Sequence, residues 1–285
     1  GEILILGYTH PAQFPQLLQY DLTQAILDLD YAKALAAYGP VKGHLALDTG
    51  MHRLGFTESD IDGVVAALRD QRTLYIRSVF THLAGSDEER HNDFTRGQIA
   101  RYTAMSDQLL EAFPGEHIIR HVCNTAGIER FPEAQFDMVR LGVGLYGISF
   151  AHQEQLLPVS TLRSRIVQIK ELQPGETVGY GRWGIIDRPT RTATVPIGYA
   201  DGLDRHLSRG AWSMLVNGRP APIIGNICMD TCMLDITGID ARDPVTIFGA
   251  EPGNTVSDMA AVLKTIPYEI MTSISTRVKR VYTKE

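Results

Sequence analysis

Residues 137–147 read D-M-V-R-L-G-V-G-L-Y-G: a short apolar run, an arginine at its end, then three glycines within six residues. Glycines at 142, 144 and 147 let backbone N–H groups approach a ligand with no Cβ in the way. Several amide dipoles converging on one point cradle an anion such as a phosphate. This stretch therefore suggests a cofactor site, with Arg140 facing a ring nitrogen; the plainer alternative is a strand followed by a flexible connection. Upstream, polar residues close successive apolar runs: Asp48 with Arg53, His82, Asn124 with Thr125. Each has an ordinary explanation when taken singly: a turn for D-T-G at 48–50, a hydrogen-bonded barrel histidine, a surface cation. Five on successive strands form one rim. Downstream, P-G-E-T-V-G-Y-G at 174–181 sets Tyr180 between glycines. That is either an exposed phenol able to exchange a proton beside a positive charge, or a packed strand tyrosine. I-G-Y-A-D-G at 197–202 and I-C-M-D at 227–230 are further clusters.

The elements that must carry these residues alternate in the first half of the chain. Strand-like runs fall at 3–6, 22–26, 44–47, 75–80, 118–123 and 138–141. Helical segments fall at 11–18, 30–38, 58–68 with Thr57 as cap, and 94–112 closed by Pro114 and Gly115, with a short helix after Thr125. Strand–helix alternation with polar residues at the strands' C-terminal ends predicts a parallel (β/α) barrel. Six such units are visible where a closed barrel has about eight, so the expectation is a barrel missing its first two βα units. Residues 151–158 read as a linker. From 159 onward, short runs at 166–169, 191–196, 213–216, 222–224, 233–236 and 245–247, with a hairpin signal at Asn217-Gly218, predict a mostly antiparallel β domain. One helix is expected at 256–263, capped by Thr255 or Ser257. The predicted organisation is 1–150 partial barrel, 151–158 linker and 159–285 β domain.

Composition narrows the function. The 285 residues are 44% hydrophobic and 21% charged, an ordinary globular mixture. A net charge of −6 argues against nucleic acid as a partner. No apolar run reaches the roughly 18 residues needed to span a membrane. Three cysteines, Cys123, Cys228 and Cys232, suit a reducing cytoplasm better than a disulfide scaffold. Cys228 and Cys232 lack the nearby partners a metal site needs, so no metal is expected.

Read together, the segments L-D-T-G-M-H-R-L-G (47–55), F-T-H-L-A (80–84), C-N-T-A (123–126), M-V-R-L-G-V-G-L-Y-G (138–147), V-G-Y-G (178–181), P-I-G-Y-A-D-G (196–202), I-C-M-D (227–230) and P-Y-E-I (267–270) resemble alanine racemase from end to end of the chain. That family pairs a barrel that binds pyridoxal 5′-phosphate with a C-terminal β domain. The resemblance implies racemisation of L- to D-alanine for peptidoglycan, in a cytoplasmic head-to-tail homodimer with shared active sites. Arg140 then faces the pyridine nitrogen. Because a guanidinium does not release its proton, that nitrogen stays unprotonated and side reactions such as transamination are suppressed. His82 sits beside the ring and links Arg140 to the catalytic phenol. Thr125, Gly142, Val143 and Tyr268 hold the phosphate, with Asn124 adjoining. Arg53 meets the substrate carboxylate. Tyr180 is the base toward the L enantiomer, reaching the site from the partner. Tyr199, Met229 and Asp230 are further partner-side residues.

Two departures accompany the resemblance. The family's second base is the lysine that also binds the cofactor, in a V-K-A-N-A-Y-G segment. None of Lys33, Lys42, Lys170, Lys264, Lys279 and Lys284 has that context, so a fragment, inactive alone, is expected, with about ninety further residues completing a barrel of ordinary size. Ala46 stands where many relatives carry a carboxylated lysine that holds the arginine; another anion, chloride or a nearby acid, would have to orient Arg53, or it is held less firmly. A tyrosine at 268 favours alanine over serine. The alternatives are a serine/alanine racemase domain of the glycopeptide-resistance type, half of a fused cell-wall enzyme, a pseudoenzyme kept as a dimer partner, and a non-catalytic pyridoxal-phosphate-binding protein. Residues 159–285 argue against the last, since such barrels generally lack this β domain.

Overall fold

In a computed structural model, which describes residues 1–69 and 73–283, the first half of the chain forms one parallel sheet. Its strands β1 (Ile3–Ile5), β2 (Leu22–Ile26), β3 (Val41–Ala46), β4 (Leu74–Phe80) and β5 (Ile119–His121) lie side by side in chain order. Lys284 lies outside the described residues. β2 and β3 are buried over most of their length, polar residues such as Thr23, Gln24 and His44 included. Those helices are α1 (Phe14–Gln19), α2 (Leu29–Tyr38), α3 (Ile61–Leu68), α4 (Asn92–Ala112) and α5 (Thr125–Arg130). Ile26, Leu45 and Val79 sit in register across β2–β4 and are buried with Leu17, Leu35, Ile61 and Leu109 from the helices. Local chemistry sets the helix starts. Asp28 accepts from the Tyr31 N–H at 2.7 Å to cap α2, and Thr57 with Asp60 makes a capping box ahead of α3. The buried Tyr102 phenol donates to the Val79 carbonyl at 2.8 Å and accepts from the His121 N–H at 3.1 Å, fixing α4 against the strands that end at the site.

The sixth strand expected at 138–141 is corrected. It amounts to a single parallel bridge, Met138 to His121, plus one backbone bond from the Arg140 N–H to the Cys123 carbonyl at 2.9 Å. Val139 and Leu141 are exposed. The segment lies at the open margin of this sheet, where only one side offers hydrogen-bond partners.

The later part of the chain is antiparallel. One three-stranded sheet runs in the order β13 (Cys232–Asp235), β10 (Thr190–Val195), β7 (Gln168–Leu172). A four-stranded sheet runs β12 (Arg219–Pro222), β11 (Ser213–Val216), β14 (Val245–Phe248), β6 (Leu162–Ser164). A small hairpin joins β8 (Thr177–Val178) and β9 (Gly184–Ile185). Asn217 and Gly218 both have positive φ, 50° and 70°, as the tight β11–β12 hairpin requires. The hairpin draws β12 to 219–222, ahead of the strand predicted at 222–224. The run predicted at 166–169 gives way to β6 and β7. Helix α6 (Val256–Leu263) carries the Thr255–Asp258 capping box, and a further helix, α7 (Pro267–Ser273), follows it. Val195, Met214, Val216, Leu234 and Ile247 form the core, with the Trp212 indole N–H donating to the Ile247 carbonyl at 2.8 Å. By internal contacts, residues 1–145 with 149–153 form one compact unit and 146–148 with 154–285 the other.

Candidate cofactor and proton-transfer site

Arg140 is the most constrained polar group of the first unit. Its NH1 donates to His121 Nδ1 at 2.7 Å and to the His121 carbonyl at 3.1 Å. Its NH2 donates to the Thr81 carbonyl at 2.7 Å and the Val122 carbonyl at 3.0 Å. The acceptors come from the ends of β4 and β5, where strands stop and carbonyls are free. Four of the five guanidinium N–H groups are thus spent, and Nε–H remains unspent among the described residues. Because arginine only donates, His121 Nδ1 is unprotonated; its Nε2–H points to Ser78 Oγ at 3.2 Å. The guanidinium also lies over the Phe80 ring, 5.4 Å from its centroid, and Phe80 stacks between His44 and His121. Burial pushes Arg140 down to about 10, so it keeps its charge at neutral pH. No carboxylate pairs with it among the described residues. Burial and then the charge of Arg140 lower His82 to about 4 and His121 to about 3, and both imidazoles are neutral.

His82 does not hydrogen-bond Arg140 among the described residues; it feels the charge only, together with that of Arg53. Arg140 instead meets His121, whose other ring nitrogen turns to Ser78, and the sequence reading did not name this histidine. A histidine inside an apolar strand looks like any core histidine; the one available signal was its place two residues before Cys123 in the run ending at Asn124-Thr125. Arg53 and His82 line a cavity of about 30 Å³ together with Asp48, Ala46 and Thr81, room for a water. Asp48 is taken up by the N–H groups of Gly50 at 3.0 Å and His52 at 2.9 Å. Arg53 is exposed, with no acid in ion-pair reach among the described residues.

At the start of α5, Asn124 Oδ1 accepts from the Gly127 N–H at 2.9 Å and from Ser86 Oγ at 2.9 Å, so Asn124 is a helix cap. Thr125 Oγ1 accepts from the N–H of Gly142 at 3.0 Å and of Gly144 at 3.2 Å. With both lone pairs engaged, its own proton is left to donate to an anion. The Val143 side chain is buried beneath this turn.

In the second unit, Tyr180 sits in the β8–β9 loop. Gly179, Gly181 and Arg182 have φ of 75°, 71° and 56°, so the backbone turns sharply on both sides of it. Its side chain is 74% exposed, the free phenol rather than the packed tyrosine. It borders a cavity of about 510 Å³ lined by Lys170, Thr192, Thr194, Cys228 and Met233. Tyr199 and Met229, both exposed, lie on adjacent turns joined by bonds from the Tyr199 N–H to the Cys228 carbonyl and the Ala200 N–H to the Met229 carbonyl. Arg277 bridges Asp230 at 2.9 Å and Asp201 at 3.4 Å across those turns. Tyr268 lies on α7, half exposed.

Comparison with known proteins follows this geometry. Residues 1–150 match the family described as alanine racemase, N-terminal domain, and residues 159–282 the one described as alanine racemase, C-terminal domain. The chain is 37% identical over 297 residues to alanine racemase 2 of Caldanaerobacter subterraneus subsp. tengcongensis, covering 98% of this chain and 75% of that protein. It is 37% identical over 299 residues to alanine racemase 1 of Clostridium acetobutylicum, covering 99% and 76%. Among solved structures, that of alanine racemase from Clostridium difficile 630 superposes with a TM-score of 0.91 at 34% identity, covering 99% of this chain and 76% of that one. The chain thus spans about three quarters of the length of the relatives it matches.

Proposed function

The chain belongs to the alanine racemase family, and from that premise we propose that its residues interconvert L- and D-alanine with pyridoxal 5′-phosphate as cofactor, yielding D-alanine for peptidoglycan. The donor count at Arg140 carries this reading. A guanidinium with four N–H groups tied to protein acceptors and one unspent presents a single hydrogen bond to a single lone pair, which is what a pyridine nitrogen offers. With no carboxylate beside it among the described residues, the Arg140 charge makes protonation of a facing nitrogen costly. The Thr125 hydroxyl, its lone pairs filled by Gly142 and Gly144, donates toward a phosphate. When bound, the cofactor supplies an electron sink for the charge left on the α-carbon after its proton departs.

The chain's own residues do the rest. Tyr180 takes the α-proton of L-alanine at its phenolic oxygen and returns it in the reverse direction. Arg53, with no acid in ion-pair reach among the described residues, binds the substrate carboxylate. His82, neutral beside two guanidiniums, supplies polar surface without adding charge. A base on the opposite face of the α-carbon is also required; the family's V-K-A-N-A-Y-G lysine segment does not occur in these 285 residues. Tyr180 serves the site of a second copy of the chain. Support for that comes from the apolar groups around it: Trp183 and Ile185 are exposed alongside the phenol, as association surfaces are. Among the described residues no helix is long and apolar enough to cross a membrane, and we place the reaction in the cytoplasm. The test is Tyr180→Phe in the full-length protein. L-to-D conversion should fall by about 10²- to 10⁴-fold; undiminished conversion rejects the base.

A further inference from the structure

Tyr180 poses a mechanical problem. Its ring is largely exposed, and its phenol has no hydrogen-bond partner among the described residues. Nothing on the side chain itself aims it. Its loop holds three left-handed residues in four, one of them the non-glycine Arg182, a conformation that persists only where the surroundings enforce it. Within the loop one backbone bond, Arg182 N–H to the Gly179 carbonyl at 3.1 Å, offers support. Arg182 Nε also donates to Thr177 Oγ1 at 3.1 Å, and the remaining support comes from elsewhere in the chain. Asn226, 3% exposed, donates from Nδ2 to the Tyr180 carbonyl at 3.0 Å. Its Oδ1 accepts from Arg209 Nε at 2.9 Å. The Arg209 guanidinium lies over the Trp183 ring, 3.7 Å from its centroid, and the Arg209 N–H donates to the Gly225 carbonyl at 2.9 Å. Trp183 in turn packs under the loop, so closely that a Cβ on Gly181 would stand 2.7 Å from its Cδ1.

These contacts form a closed circuit: Tyr180 carbonyl, Asn226 amide, Arg209 guanidinium, Trp183 ring, and back through the two intervening residues, Gly181 and Arg182, to Tyr180. We propose that Arg209 and Asn226 are positioning residues for Tyr180, Arg209 acting as a latch that pins the backbone from which the phenol projects. This rests on the reading of Tyr180 as the base. The phenol gains access by being bare, and its aim is set one bond back, at its own carbonyl. Arg209 suits the latch because a planar guanidinium stacks on the indole and donates Nε–H in its own plane, which an ammonium does not do.

Arg209 is exposed, so its replacement leaves the core intact. The test compares R209Q and R209K with wild type in the full-length protein, by amide exchange at 179–183 and by steady-state kinetics with α-protio and α-deuterio alanine. In R209Q, exchange in the loop should accelerate and kcat should fall about tenfold or more, with KM changed by less than about twofold, as expected for a misplaced reacting group. The deuterium effect on kcat should grow, because proton transfer becomes the slower step. R209K should behave as R209Q; a wild-type R209K overturns the latch in favour of simple charge. Unchanged loop exchange in R209Q overturns it too, as does a defect confined to KM. If Tyr180→Phe retained activity the base assignment would fall, while the exchange result would still decide whether Arg209 holds the loop.

Discussion

Mild acid should unlock the first unit, and the magnitude follows from three histidines. His44 and His121 are fully buried and His82 is partly so. Burial comes first in lowering all three from 6.5, to about 4, about 3 and about 4; the Arg140 charge adds to it. A histidine whose folded pKa is depressed binds fewer protons folded than unfolded. Its contribution is therefore complete above pH 6.5 and is lost as pH falls toward the folded value. At pH 5 each fully buried imidazole forfeits about 2 kcal/mol relative to pH 7.5, and His82 less, for a combined loss of about 4–6 kcal/mol. That is comparable with the whole stability of many domains, about 5–15 kcal/mol. Carboxylates held low, such as Asp60 and Glu133, lose their contribution only at lower pH, so the window belongs to the imidazoles. Native-state hydrogen exchange of amides in β3–β5, corrected for intrinsic rate, measures the change directly. His44→Phe should remove about 2 kcal/mol of the acid loss. Protection that is equal at pH 7.5 and pH 5, or imidazole resonances titrating near 6.5, would refute the argument.

Other outcomes are equally specific. Thr125→Val strands the N–H groups of Gly142 and Gly144 and removes the hydroxyl donor; cofactor dissociation should speed up roughly tenfold or more, read by dialysis and absorbance. Gly55→Ala puts a Cβ 2.7 Å from the Ala46 carbonyl at a φ of 116°, and should cost more than about 1 kcal/mol in urea unfolding while weakening substrate binding through the Asp48–Arg53 loop. Arg277→Gln should loosen the turns bearing Tyr199 and Met229, seen as faster amide exchange at 198–202 and 227–231; unaltered exchange would show that Arg277 bridges those turns without holding them.

The parts of the fold written in local chemistry were readable in advance. Strand 22–26, helix 256–263 with its Thr255 cap and the Asn217-Gly218 hairpin stand where expected, because each depends on neighbours within a few residues. The strand expected at 138–141 failed because apolar residues there lack a second neighbour to pair with. Helix α7 was overlooked since P-Y-E-I is too short for periodicity to show. At the site, Arg140 stood out as a lone cation before glycines, and the structure makes it the centre of a hydrogen-bond cage. The partners that fix it did not stand out. His121, Thr81 and Val122 act partly through main-chain carbonyls, which no side-chain pattern reveals. The Asn226–Arg209–Trp183 circuit joins residues 17 and 26 positions apart, and only folding brings them together.

The cage around Arg140 also has a pharmacological side. If the proposed reading holds, a flat inhibitor carrying carbon where a pyridine carries nitrogen would leave the last guanidinium N–H facing a C–H group, a loss of about 1–3 kcal/mol. Enlarging such a molecule elsewhere would not recover it, because the arginine is tied at four points and has no slack to seek another acceptor. On that reading, compounds directed at Arg140 would be graded first by whether they bring one lone pair to one place, and only then by how well they fill space.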